Sequence, residues 1–216
     1  MSSGRVIGAG VAAVLALVLV YLFWGGPQPA PAPAPDAAPE AAAAPVADGP
    51  GPNLVIEVGG AAQGRVVIDL LPDLAPLHVA QITALAAEGA YDGVVFHRVI
   101  GGFMAQTGDV EFGRRDGGML ARAGMGGSPR PDLPAEFSAE SFQRGVVGMA
   151  RSQSPDSANS QFFIMFAPGT FLDGQYTVVG RVIEGMEVVD AIKKGDEAAN
   201  GAVSDPDYMA RVTVEE

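Results

Sequence analysis

Cysteine is absent from this 216-residue chain, so disulfides and thiolate chemistry are excluded. Histidine occurs only at His78 and His97, too far apart in sequence to suggest a zinc site. No metal and no cofactor is expected. Bases are scarce, 13 against 25 acids, for a formal net charge of −12. Residues 1–52 hold one of those bases (Arg5) and three of the acids (Asp36, Glu40, Asp48). The remaining 12 bases and 22 acids leave the rest of the chain at −10. Such a surface repels phosphate backbones, which argues against nucleic acid as a partner. Hydrolytic and nucleotide motifs are also missing. There is no G-x-S-x-G elbow, no Walker loop and no Rossmann fingerprint. Ser152, Ser154 and Ser160 have no histidine partner by motif.

What is present begins with an uninterrupted apolar run over residues 6–24. As a helix it reaches about 28 Å, close to the bilayer hydrocarbon thickness. Tyr21, Phe23 and Trp24 gather at its far end, where aromatic side chains favour the membrane interface. Arg5 precedes the run and no base follows until Arg65. The positive-inside rule then keeps the N-terminus cytoplasmic and carries the rest across the membrane. The expectation is a single-pass anchor over residues 1–24 in a bacterial inner membrane, with a periplasmic domain. The alternative is a signal peptide, cleaved to release the domain into the periplasm. Residues 25–52 alternate proline and alanine up to Pro35, then carry alanines and further prolines, and offer little core-forming surface. In polyproline II geometry they reach about 87 Å, which makes them a semi-stiff stalk.

From residue 53 the pattern is mostly β, and one domain of ordinary size is expected over 53–216. Strands are predicted at 54–58, 65–71, 94–100, 103–106, 146–151, 161–166, 177–183 and 211–214. A helix follows the second strand, with Asp73 as its cap, Pro76 in its first turn and Gly89 at its end. Val79, Ile82 and Leu85 or Ala86 recur at helical spacing, whereas His78 falls off that stripe and is expected to be exposed. A second helix is predicted over 184–194, carrying Met186, Val189 and Ile192 or Lys193 inward, with lysines in its last turn. Residues 111–138 are glycine- and proline-rich and too long for an idle connection. They read as a surface loop beside a functional face. Eight strands can close a barrel filled by its own side chains.

Chemistry-bearing residues concentrate in FHRVIGGFMAQTGD (residues 96–109). Alternation places Phe96, Arg98 and Ile100 on one side of a strand. Spacing alone leaves Arg98 either a solvated residue or part of a site. In NSQFFIMF (159–166), alternation places Gln161, Phe163 and Met165 together. Taken in order with GVVGMAR (145–151) and FLDGQYTVVGRV (171–182), these motifs resemble the cyclophilin family of peptidyl-prolyl isomerases. The resemblance covers the chain from about residue 53 onward.

That resemblance implies a mainly β fold, a closed eight-stranded antiparallel barrel with a helix capping each end. It places a peptide groove on the outer wall of the barrel. It implies a peptidyl-prolyl cis-trans isomerase acting on proline-containing unfolded or extended polypeptides during the folding of exported proteins. The chemistry fits the residues. The 18–20 kcal/mol barrier to X–Pro rotation arises from amide resonance. In the twisted transition state the proline nitrogen regains a lone pair, which a fixed donor stabilises selectively. Arginine is rigid, forked and always charged. By the family pattern Arg98 is the catalytic arginine and Gln106 the amide that orients it. Phe103, Met104, Phe163 and Leu172 take the proline ring. Gln161 and the backbone at Ala150 and Arg151 form the wall for the extended peptide. Phe171 stands where many members have tryptophan, which removes an indole donor and implies weak inhibition by cyclosporin. Tyr176 stands where many have histidine and keeps an aromatic wall with a polar tip. Arg151 replaces an asparagine common in eukaryotic members. His97 matches a histidine of structural rather than catalytic role. The competing expectation is a tethered peptide-binding or chaperone module in which isomerisation is incidental. A monomer is expected in either case.

Overall fold

A computed structural model describes residues 47–216. The expected anchor over 6–24 and most of the expected stalk over 25–52 lie outside the described residues. Among the described residues no helix is long and apolar enough to cross a membrane.

The chain opens with β1 (Asn53–Gly59) and β2 (Gly64–Leu70), an antiparallel hairpin. Alternation sends Leu54, Ile56 and Val58 of β1 inward, and Val66, Ile68 and Leu70 of β2 join the same core. Cross-strand partners Ile56 and Val66, and Leu54 and Ile68, meet there. After α1 (Pro76–Ala87) come β3 (Val94–Val95), β4 (Arg98–Ile100) and β5 (Met104–Thr107). A long irregular segment leads to β6 (Val146–Met149) and β7 (Phe162–Met165). Then follow β8 (Val178–Glu184), α2 (Met186–Ala191) and β9 (Tyr208–Glu215). All strands form one antiparallel sheet in the order β3-β9-β1-β2-β8-β6-β7-β5-β4. Its two end strands are consecutive in the chain, separated only by Phe96 and His97. The ends therefore lie close along the chain, but no ladder pairs β3 with β4, so the sheet is a half-barrel rather than the closed barrel expected.

Nine strands replace the eight expected because residues 94–100 do not form one continuous strand. The break at Phe96–His97 resets the alternation, so Phe96 and Val99 both enter the interior core. Arg98 and Ile100 do not share a face with Phe96, contrary to the sequence expectation. Residues 162–165 keep strict alternation. Phe162 and Ile164 belong to the interior core, while Phe163 and Met165 belong to a second cluster with Met104, Phe142, Leu172 and Val178. That second cluster is built on the opposite face of the sheet.

The helices correct three expectations. The stripe Val79, Ile82, Leu85 and Ala86 is buried in α1 as expected. His78, however, is fully buried rather than exposed. Asp73 does not cap α1; Ala75 occupies that position and offers no side-chain bond. The orphan amides of the first turn are satisfied from elsewhere. Leu77 N and His78 N each donate to the Glu136 carboxylate at 3.1 Å. His78 Nδ1 lies 2.6 Å from Glu136 Oε2, and that contact draws the ring inward. α2 is only six residues long, because β8 runs on through Glu184 and Gly185 turns the chain with φ +85°. Lys193 and Lys194 therefore lie beyond the helix, while Val189 and Ile192 stay buried.

Candidate active site

β4 and β5 pair so that Arg98 stands directly opposite Gln106. Side chains opposite one another in an antiparallel pair share a face, so register alone brings cation and amide together. Arg98 Nη1 donates to Gln106 Oε1 at 3.3 Å. Gln106 Nε2 donates in turn to Gln161 Oε1 at 2.9 Å, and Gln161 Nε2 donates to the Gly126 carbonyl at 2.7 Å. A chain of amides thus fixes one edge of the guanidinium. Its other edge is held from the loop after α2. Arg98 Nε donates to Asn200 O at 3.1 Å and Nη2 to Asn200 Oδ1 at 3.0 Å. Partial burial disfavours the charge of Arg98 and lowers its pKa from the ordinary arginine value.

Beside this cation the outer-face cluster leaves a cavity of about 120 Å³. Arg98, Met104, Gln106, Ala150, Arg151, Phe163, Leu172 and Tyr176 line it, eight of the eleven residues singled out in the sequence. Drug-sized pockets are typically 300–1,000 Å³; this one suits a single small ring. Phe163 is clamped between two aromatics. Phe142 stacks against it at 5.7 Å and Tyr176 meets it edge-on at 5.8 Å. Gly148 faces Phe163 across the β6–β7 ladder, and a Cβ there would lie 2.7 Å from the Phe163 ring and 2.6 Å from Phe142. The glycine is what lets both rings close on the pocket.

A second, larger cavity of about 540 Å³ adjoins the first through Gln106, Ala150 and Arg151. Gln161, Met125, Gly126, Ser128 and Asp132 are among its walls. The loop over 111–138 therefore does border the functional face. Phe103, expected in the ring pocket, and Phe171, expected in the binding surface, lie outside both linings. Phe103 packs against the outer cluster and meets Phe171, which is 65 % exposed, in a tilted ring contact at 5.5 Å. Both flank the small cavity rather than form its wall.

Three residues important to this geometry were not singled out. Asn200 holds Arg98 across 102 positions of sequence; the dipeptide Asn200–Gly201 signals a turn but not its destination. Phe142 backs Phe163 and looks like any core aromatic. Asp109, fully buried, accepts from the backbone amides of Glu111, Phe112, Gly124 and Gly126. It pins the loop that supplies the wall of the larger cavity. Among the described residues no group of acids and histidines could hold a metal ion.

The profile of the cyclophilin type peptidyl-prolyl cis-trans isomerase/CLD family matches residues 54–214. A probable peptidyl-prolyl cis-trans isomerase of Brucella suis is 67 % identical over 153 residues, covering 70 % of this chain and 78 % of its own. Peptidyl-prolyl cis-trans isomerase-like 3 of Gallus gallus is 40 % identical over 131 residues, covering 61 % and 77 %. A crystal structure of a cyclophilin from Hirschia baltica superposes with TM-score 0.60 at 26 % identity, covering 74 % of this chain and 73 % of that one. A Cryptosporidium parvum cyclophilin crystallised in the presence of the dipeptide Ala-Pro superposes with TM-score 0.63 at 24 % identity, covering 76 % and 99 %. The chain belongs to the cyclophilin-type peptidyl-prolyl cis-trans isomerase family, and its activity is the interconversion of cis and trans X–Pro bonds.

Proposed function

We propose that Arg98 is the electrophilic donor of this isomerase and that its clients are proteins delivered across a membrane. The observation that carries the first half is a guanidinium held on both edges beside an apolar cavity of single-ring size. The proline ring enters between Met104, Phe163 and Leu172. Its nitrogen then faces the Arg98 fork, while Gln106 keeps the fork from rotating. The twisted imide gains a hydrogen bond that neither planar state accepts as well, so the barrier falls. Gln161, Ala150 and Arg151 line the adjoining cavity and hold the flanking peptide in extended form.

The second half rests on residues 1–52. The apolar run and the proline–alanine stretch fit an anchor and a stalk. An anchor and a stalk of that kind suit an isomerase that works on chains emerging from a translocation site in a bacterial inner membrane, its catalytic domain in the periplasm. Fractionation of cells carrying the full chain tests this. Recovery in the membrane fraction is expected; recovery of a shortened soluble form indicates signal cleavage and overturns the anchor.

The catalytic assignment is tested with Arg98→Ala in a peptide isomerisation assay. Loss of one preorganised donor costs about 10²–10³ in turnover elsewhere, and a drop of that order is expected. The fold should survive, because Arg98 is only half-buried. Unchanged activity would remove Arg98 from the mechanism and favour a peptide-binding module.

A further inference from the structure

The groove carries a cation that isomerisation does not use. Arg65, Arg115, Arg130, Arg144 and Arg181 each stand within ion-pair distance of a carboxylate. Among the described residues Arg98, Arg114, Arg122, Arg151 and Arg211 do not, and of these only Arg98 and Arg151 line the two cavities. Arg151 is instead held by neutral groups. Its Nε and Nη2 donate to the Gln175 carbonyl at 3.2 and 3.0 Å, and Nη1 donates to the Ser152 carbonyl at 2.9 Å. Its guanidinium lies 4.4 Å from the centroid of the Tyr176 ring. These contacts fix the side chain and satisfy most of its donors without neutralising its charge.

The position of that charge decides what it does. Arg151 lines both cavities, so it sits where the peptide leaves the ring pocket and enters the larger groove. No acid lines the ring pocket. Asp132 is the sole acid lining the larger cavity, and its Oδ1 already accepts from Asn159 Nδ2 at 3.0 Å. The junction is therefore locally positive within a negative molecule. We propose that Arg151 makes this isomerase favour X–Pro bonds flanked by an acidic residue and disfavour those flanked by a basic one. The proposal rests on the isomerase reading of the same groove and adds a substrate class to it. A carboxylate beside proline meets a preplaced cation, and an ammonium meets two.

The test uses the full chain and short proline peptides that carry Glu, Ala or Lys on either side of the proline. A pair of unit charges at an exposed site contributes modestly. The expected result is a kcat/KM for the preferred Glu peptide on the order of fivefold above its Lys counterpart at low salt. That ratio should shrink in 0.5 M salt, where exposed charges are screened. Arg151→Gln should bring the ratio below about twofold, whatever it does to absolute rates, and Arg151→Lys should keep part of it. Equal turnover of Glu and Lys peptides by the unmodified chain overturns the proposal without any variant. Retention of the full ratio in Arg151→Gln also overturns it. Failure on the Ala peptide would instead count against the isomerase reading, so the two can be told apart.

Discussion

Asn200 grips the guanidinium of Arg98 twice, once by its backbone oxygen and once by its side chain. It does so from a left-handed backbone, φ 55° and ψ 36°, which glycine adopts at least as easily. Asn200→Gly therefore keeps the backbone acceptor and removes only Oδ1. A hydrogen bond to a charged group contributes about 1.5–3 kcal/mol, and Gln106 still holds the far edge. The expected effect is a fall in kcat of roughly tenfold with KM nearly unchanged, because the ring pocket is untouched. Peptide isomerisation at several substrate concentrations measures the split. A rise in KM with kcat intact would mean that Asn200 serves binding rather than the aim of the cation. At this scale the sequence was uneven. Gln161 and Phe163 were legible as neighbours on one face from strand alternation, whereas Arg98 and Gln106 stood out only through the order of four motifs that resemble the family, alternation having put Arg98 on the side of Phe96. Asn200, Phe142 and Asp109 were not, because each acts through a tertiary contact or a turn whose destination no local pattern encodes.

At the scale of elements, the loop over 111–138 ties two distant parts of the molecule together. Its early part hangs on Asp109 and walls the groove, and its late part brings Glu136 to the start of α1. Burial works against the Glu136 carboxylate. Bonds from His78 and from two backbone amides outweigh that and hold its pKa below the ordinary value. Helix start signals in the sequence pointed to Asp73, since local rules look for a cap within a few residues. The observed cap comes from 58 residues away. The same limit explains α2, whose inward stripe was readable but whose length was set by β8 running on to Gly185. Glu136→Gln keeps the shape and removes the charge at a helix N-terminus. It should destabilise the domain by about 1–2 kcal/mol at pH 7, read as a lower urea midpoint with unchanged slope. An unaltered midpoint would show that the amides of α1 find other partners without cost.

For the molecule as a whole, acid is the informative stress. Lowering the pH discharges carboxylates that repel one another across a chain of net charge −12, which relieves the folded state. His97 works in the opposite direction. Burial, partly offset by the Asp109 carboxylate, pushes its imidazole from 6.5 down to about 4. Between those values the unfolded chain binds a proton at this site and the folded chain does not. Stability supplied by the neutral ring is therefore complete above pH 6.5 and is lost progressively as pH falls toward about 4. A full separation of that size amounts to at most about 3 kcal/mol. Glu136, its pKa held below the ordinary value, and every other titrating group are common to a variant that lacks only His97. His97→Leu removes the titrating group, and both proteins share the same carboxylate background. Urea midpoints measured between pH 6.5 and about 4 should fall more steeply for the unmodified chain than for His97→Leu. Parallel slopes would mean that the ring is already protonated in the folded state, which its packing against Gly124, where a Cβ would lie 3.0 Å from the ring, makes costly.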